Sequence, residues 1–273
     1  MGTLYLVATP IGNLEDITFR AVRILQEVIL VAAEDTRHTG KLFKRYEIKT
    51  RLLSYHEHNK DVQAANIILA LEEGDVALVS DAGTPGLSDP GYELIKAALD
   101  AGHIVSPIPG PSAPIAALVA SGLPTDAFFF LGYIPRRGSE RRRLLESLAD
   151  EERTLLFFEV PHRLKQTLED LELSFGKDRL VAICRELTKL HEEILRGTLQ
   201  EVRTHFSNVE PRGEFTLVIG RAPKGGLWDE GAVHEAVLLW QGKGMGPSEV
   251  ARRVAAVSGW NRRDVYKMIM EDK

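Results

Sequence analysis

The 273-residue chain has one cysteine, Cys184, which rules out an intramolecular disulfide and a cysteine-rich zinc site. That usage fits a reducing compartment. No apolar run reaches the roughly 18 residues of a membrane span, and the first residues lead into a strand pattern rather than a secretory leader. A cytoplasmic protein with no membrane association is expected. Neither common phosphate cradle is present either. There is no G-x-x-x-x-G-K-S/T, and the turn Ala8-Thr9-Pro10-Ile11-Gly12-Asn13-Leu14 has one glycine where the dinucleotide fingerprint needs three. A ligand without a pyrophosphate suits such turns better. Basic charge is not in excess: 34 Lys and Arg stand against 39 Asp and Glu, a net charge of −5. A broadly basic, nucleic-acid-coating surface is excluded, but a local patch is not. The remaining composition, 44% hydrophobic and 27% charged, is that of a globular chain long enough for one large or two ordinary domains.

The most informative stretch is 79–91, Val-Ser-Asp-Ala-Gly-Thr-Pro-Gly-Leu-Ser-Asp-Pro-Gly. It follows an apolar run that reads as a buried strand and precedes a helix-like segment. Glycine permits positive φ and close approach of a ligand, while proline stiffens the chain elsewhere. A stiff, acidic, glycine-lined loop at the carboxyl end of a strand is where open α/β sheets hold ligands. The turn Ile108-Pro109-Gly110-Pro111-Ser112-Ala113-Pro114 is a third of this kind, with Ser112 at a helix N-cap position.

Apolar runs of strand length recur at 4–8, 28–33, 76–79, 104–108, 128–133, 155–158, 180–183 and 215–219. Several are nearly continuous, as expected for strands covered on both faces. Helix-like segments fall between many of them, at 18–26, 62–72, 92–101, 114–120, 140–148 and 164–175. This alternation indicates an α/β fold with largely parallel sheets. The prolines at 107, 109, 111 and 114 mark a boundary near 115, so the expected domains are 1–115 and 116–222. The segment Ala222-Pro223-Lys224-Gly225-Gly226 reads as a linker to a helical tail, 226–273. There Ser248 is placed to cap a helix through Val257, and Ala255, Gly259 and Val265 have helix-turn-helix spacing. Arg252, Arg253, Arg262, Arg263 and Lys267 flank it.

Six motifs, taken together, carry a resemblance: 5–17, the 80–91 loop, Pro109 to Ala113, Phe158-Glu159-Val160-Pro161-His162-Arg163, Arg185-Glu186-Leu187-Thr188-Lys189, and Gly213-Glu214-Phe215-Thr216. In this order and spacing they resemble the tetrapyrrole-methylase superfamily of S-adenosylmethionine-dependent methyltransferases, over about residues 2–219. Within it they most resemble the bacterial enzymes that methylate a cytidine 2′-hydroxyl in small-subunit ribosomal RNA. The resemblance implies two α/β domains with the cofactor in the cleft between them, a homodimer, and a ribosomal substrate in the assembled 30S subunit. It implies cofactor contacts at Pro10, Gly12, Asp81, Gly83, Thr84, Pro85, Ser112, Ala113, Phe158, Glu159, Glu214 and Thr216. S-adenosylmethionine carries an ammonium and a sulfonium, for which Asp81 is a suitable acceptor. For Asp89, a local turn contact and a functional role stand level.

A general base adds roughly 10²–10⁴-fold to such a transfer. Glu159, His162, Glu186 and Lys189 are the candidates; lysine needs a lowered pKa to serve. Candidate RNA contacts are His56 and His58 of the segment 54–59, Arg163, Arg185, and the cluster Arg136, Arg137, Arg141, Arg142 and Arg143. Five arginines in eight residues are either a solvated face or a set of phosphate contacts. No metal site is expected, since the two histidines lack partners. The alternatives are methylation of a tetrapyrrole carbon, a protein methylase resembling diphthine synthase, and a non-catalytic nucleic-acid-binding regulator.

Overall fold

The computed structural model describes residues 2–222 and 228–271. Its first half alternates strand and helix: β1 (Thr3–Val7), α1 (Phe19–Glu27), β2 (Leu30–Ala33), α2 (Thr36–Arg45), β3 (Leu52–Ser54), α3 (Lys60–Glu73), β4 (Val76–Val79), α4 (Tyr92–Asp100) and β5 (Ile104–Ile108). All five strands are parallel, in the order β3-β2-β4-β1-β5. Strands β2 and β4 are buried at every position, which explains their unbroken apolar runs. Val31, Ala33, Ala77 and Val79 face α1 and α2 together with Leu25 and Phe43. Leu30, Ala32, Val76 and Leu78 face the other way, onto Ile67, Leu71 and Leu94.

The second half holds α5 (Ala113–Ser121), β6 (Phe128–Tyr133), α6 (Gly138–Ser147), β7 (Thr154–Glu159), α7 (Pro161–Phe175), β8 (Leu180–Arg185), β9 (Glu193–Thr198), α8 (Leu199–Asn208) and β10 (Phe215–Ile219). Here the expectation of parallel strands is corrected. In the order β6-β7-β10-β8-β9 only β6 and β7 run parallel; the other three pairings are antiparallel. Parallel pairing needs a crossover, and the short loop joining β8 to β9 provides none. Leu155, Phe157, Ile183 and Leu217 pack under α6, α7 and α8. Leu156, Ala182, Cys184 and Val218 pack against Ala117 and Leu118 of α5. Residue 115 therefore lies inside a helix whose apolar face belongs to the second sheet.

Both sheets form one compact unit, residues 2–149 with 153–220. A second unit comprises 150–152 with the described residues beyond 220, and holds α9 (Glu230–Gly242), α10 (Pro247–Ser258) and α11 (Arg262–Glu271). Val233, Val237, Val250, Val254, Val265 and Ile269 are its core. Gly259 closes α10 at φ 70°, a conformation that glycine adopts without strain. Val265 is buried in one cluster with Val250 and Val254 of α10. Ser248, however, lies within the first turn of α10; the N-cap is Gly246, and the Ser248 hydroxyl accepts from Arg262 at 2.8 Å. Most of the expected linker, 223–226, lies outside the described residues.

A candidate ligand cavity between three turns and the second sheet

The adjacent strands β4, β1 and β5 end in the three turns singled out above. Thr9 and Gly83 exchange backbone hydrogen bonds of 2.9 and 3.0 Å, joining the first turn to the second. The Thr9 hydroxyl donates to the Ser80 carbonyl at 3.1 Å. Thr84 donates to the Pro111 carbonyl at 3.4 Å, joining the second turn to the third. Gly83 sits at φ 81°, open to glycine and strained for other residues. The result is a stiff backbone wall, held by its own hydrogen bonds.

That wall encloses a cavity of about 370 Å³, within the range of small-ligand sites. Of the twelve expected cofactor residues, nine line it: Asp81, Gly83, Thr84, Ser112, Ala113, Phe158, Glu159, Glu214 and Thr216. Ser112 occupies the N-cap position of α5 but makes no capping bond, which leaves its hydroxyl to the cavity. Pro10, Gly12 and Pro85 do not line it. Pro10 and Pro85 are buried in their turns. Gly12 lets the first turn press on the 185–189 segment: a Cβ there would meet the Leu187 carbonyl and the Thr188 hydroxyl at 2.8 Å each.

The lining is acidic at one end. Glu34, which follows β2, joins Asp81 and Asp89. Asp81 accepts the Asp35 N–H at 3.0 Å. Burial, then the neighbouring Asp81, raises the acid of Glu34. Burial, then the charge of Glu34, pushes Asp89 up to about 6. Three crowded, partly buried carboxylates suit a cation and oppose a phosphate, so the residues present fit S-adenosylmethionine. The aromatic and aliphatic side chains of Phe158, Leu87 and Leu187 line other parts of the wall.

The raised acid of Asp89 has two consequences of opposite sign. The folded chain holds a proton that the unfolded chain releases near pH ~4, so stability falls as pH rises from about 4 to 6. Affinity for a cation rises over the same interval, as the carboxylate becomes charged. Asp89→Asn is expected to flatten both trends. Calorimetry with S-adenosylmethionine and denaturation, each at about pH 5 and 7.5, check this; an affinity that does not rise with pH in the unaltered protein removes Asp89 from the ligand's field.

The four candidate bases are placed very differently. Glu159 lines the cavity, but its carboxylate accepts from Arg163, from Thr167 at 2.6 Å and from the Val160 N–H at 2.7 Å. Its oxygens are occupied by structure. Burial pushes Lys189 down, but Glu214 and Glu186 outweigh it and hold the ammonium above its usual range. Their contacts are 2.8 and 2.9 Å. Lys189 is therefore a cation that braces Glu214, the reverse of what a base requires. For Glu186, burial raises the acid, but the Lys189 ammonium and the Glu214 N–H prevail and keep it ionised. Neither Glu186 nor Lys189 lines the cavity, and His162 is exposed at the start of α7.

The expected RNA contacts divide as well. Arg141 is corrected: it is buried in the layer between α6 and α7, with its Nε 2.6 Å from buried Asp170. Arg163 is held by Glu159, and Arg185 donates to the Arg212 carbonyl at 2.7 Å. Arg136, Arg137, Arg142 and Arg143 remain exposed, with Arg137 3.3 Å from Glu140. His58 is exposed, and the His56 ring stands 6.0 Å from it, above a turn in which Asn59 accepts the His56 N–H at 2.8 Å. Among the described residues no three His, Cys, Asp or Glu groups cluster as a metal site.

Glu34, Tyr133 and Cys184 also line the cavity without having been singled out. A carboxylate directly after an apolar strand was the available signal for Glu34. Nothing local marked Tyr133 or Cys184, which reach the site through the second sheet.

The fold recurs in solved structures. A uroporphyrin-III C-methyltransferase from Thermus thermophilus matches with a TM-score of 0.59 at 23% identity, covering 81% of this chain and 96% of that one. The methyltransferase CobJ matches with a TM-score of 0.63 at 19% identity, covering 81% and 95%. At these identities the likeness concerns the fold. Curated relatives named ribosomal RNA small subunit methyltransferase I are nearer in sequence. The one from Synechocystis sp. is 48% identical over 99% of this chain and 98% of its own length, and that from Bacillus subtilis is 45% identical over 97% and 93%. The relative of that name from Thermotoga maritima is 50% identical over 98% of its length but 80% of this chain. The family model for tetrapyrrole (corrin/porphyrin) methylases matches residues 3–203, which contain all three turns and most of the second sheet. With its cavity built from those turns, this chain belongs to the tetrapyrrole (corrin/porphyrin) methylase family.

Proposed function

We propose that the chain transfers a methyl group from S-adenosylmethionine to a cytidine 2′-hydroxyl of small-subunit ribosomal RNA. The observation that carries this reading is near-full-length identity of 45–48% to relatives with that ribosomal RNA name. The acidic cavity and the four exposed arginines supply a chemical reason. S-adenosylmethionine contributes a methyl group activated by its sulfonium. Asp81 and Asp89 would attract the cation, and the three hydrogen-bonded turns would hold it in place. Placement of the attacking oxygen in line is worth up to ~7–11 kcal/mol in well-oriented systems. With Glu159 locked and Lys189 charged, positioning is the chain's main contribution.

The exposed arginines favour a polyanion over a tetrapyrrole, since a small substrate inside the cavity needs no guanidinium cluster beyond it. We take the assembled subunit as substrate and a homodimer as the working form. No helix among the described residues is long and apolar enough to cross a membrane. A ribosomal substrate and a lone, buried cysteine support a cytoplasmic site of action. The test is incubation of small ribosomal subunits with labelled S-adenosylmethionine, then nucleoside analysis. 2′-O-Methylcytidine is the expected product, and label on a base or on protein refutes the reading.

The tail is assigned to subunit recognition. It has its own core. Its basic residues are largely engaged: Arg252 and Arg253 hold Glu249, and Lys267 lies 3.6 Å from Glu271. Truncation at Gly225 is expected to preserve cofactor affinity and to reduce methylation of subunits. Full activity of the truncated chain would show the tail dispensable.

A further inference from the structure

We infer that Tyr133 is the platform on which the base of the target nucleotide stacks while its ribose enters the cavity. The inference rests on the proposed RNA substrate and adds a residue to that site. Tyr133 lines the cavity, yet 56% of it is exposed, an unusual combination for a large ring. It ends β6, an edge strand, just beyond a bulge in the pairing with β7. Gly132 makes the bulge possible at φ 66°; a Cβ there would lie 3.1 Å from the Ser88 hydroxyl of the cavity loop. The bulge shifts the register between Phe130 and Tyr133, so that Tyr133 comes opposite Phe158.

The ring is braced from beneath. It leans on Phe158 with centroids 5.4 Å apart, and Phe158 in turn meets Phe130 edge-on at 5.0 Å. An aromatic fixed on one side and open on the other offers a π-face to a splayed-out base, the usual way proteins hold unpaired nucleotides. The next exposed cation, Arg136, is three residues on, at most roughly 10 Å of chain away. A base on the ring, its ribose at the cavity and its phosphate toward the arginines thus fall within the reach of one nucleotide. Stacking of the base would fix the position of the attached ribose, and hence of its 2′-hydroxyl, at the cavity mouth.

The test uses the full chain with small ribosomal subunits that lack the modification, comparing the unaltered protein with Tyr133→Phe, Tyr133→Leu and Tyr133→Ala. Tyr133→Ala is expected to raise KM for subunits by roughly 5- to 150-fold, the range for losing a stacking aromatic, measured at saturating S-adenosylmethionine so that any change in cofactor affinity is read separately. Tyr133→Leu falls between, and Tyr133→Phe, which keeps the ring, stays within about twofold. An unchanged KM in Tyr133→Ala overturns the inference. So does a Tyr133→Phe loss as large as that of alanine, which would assign the hydroxyl instead. Light scattering supplies another outcome: a variant that alters the oligomeric state but methylates normally assigns the ring to contact between copies. The unaltered arm tests the RNA reading by itself, since failure to methylate ribose there overturns both.

Discussion

Replacing Arg141 with glutamine is expected to cost roughly 3–5 kcal/mol of folding stability, the usual penalty for leaving one half of a buried ion pair alone. Its side chain is 6% exposed and that of Asp170 is 2% exposed, with 2.6 Å between their charged atoms. Glutamine cannot neutralise the carboxylate, which then remains buried between α6 and α7 with only the half-exposed Arg142, 3.8 Å away, as a counter-charge. The double variant Arg141→Met with Asp170→Leu is expected to recover most of the loss, because two apolar side chains of suitable size carry no desolvation cost. Urea denaturation measures both. A single-variant loss below about 1 kcal/mol would mean that the pair is hydrated. The neighbouring arginines should behave in the opposite way. Changing Arg136, Arg137 and Arg143 together to glutamine, and sparing Arg142 because it lies 3.8 Å from Asp170, is expected to leave stability nearly intact and to weaken RNA binding. Every phosphate left without its guanidinium should reduce the log–log salt slope by about 0.7–0.9. Identical slopes would make those three residues a solvated face.

The second large effect is expected at Asp81. Asp81→Ala should weaken S-adenosylmethionine binding by ~1.5–3 kcal/mol, about 10- to 150-fold, through loss of a charged hydrogen-bond acceptor. Alanine also orphans the Asp35 N–H, which Asp81 accepts at 3.0 Å and which stands at the start of α2. Asp81→Asn separates the two effects, since its carbonyl keeps that bond while the charge is gone. If the charge matters, Asn binds the cofactor almost as poorly as Ala but melts like the unaltered protein. Equal affinity of all three forms by calorimetry would move Asp81 out of the site. The neighbouring Asp89 and Glu34 leave the wall partly acidic in each variant, so binding is reduced rather than abolished.

Much of the architecture was legible because it depends on short-range pattern. Strands 76–79, 104–108, 128–133 and 215–219 coincide with β4, β5, β6 and β10 to the residue. Their boundaries are set by glycine, proline and charged neighbours, which act locally. Four elements escaped. Strands β3 and β9 carry no fully buried position, so nothing forces an apolar run on them. Helix α2, Thr36–Arg45, buries only Thr39, Leu42 and Phe43, a stripe too thin to read. Helix α8 is marked in sequence only by its capping box, Thr198 with Glu201.

The sequence by itself determined the α/β plan with two domains' worth of strands, the three glycine- and proline-rich turns and the family, because each is encoded in contiguous residues of fixed spacing. Strand direction in the second sheet was decided by tertiary pairing, since apolar patterning is the same for β10 whether its neighbours run with it or against it. The division of labour among charges was decided there too. Arg141 and Arg142 are adjacent in sequence and alike in chemistry, yet one is sealed against Asp170 and the other is half exposed. Glu159 and Lys189 lie in motif segments of the family, but partners supplied by α7 and by the 213–215 segment neutralise or brace them. A side chain's reactivity depends on what surrounds it in three dimensions, and those neighbours are supplied by chain segments far apart in sequence.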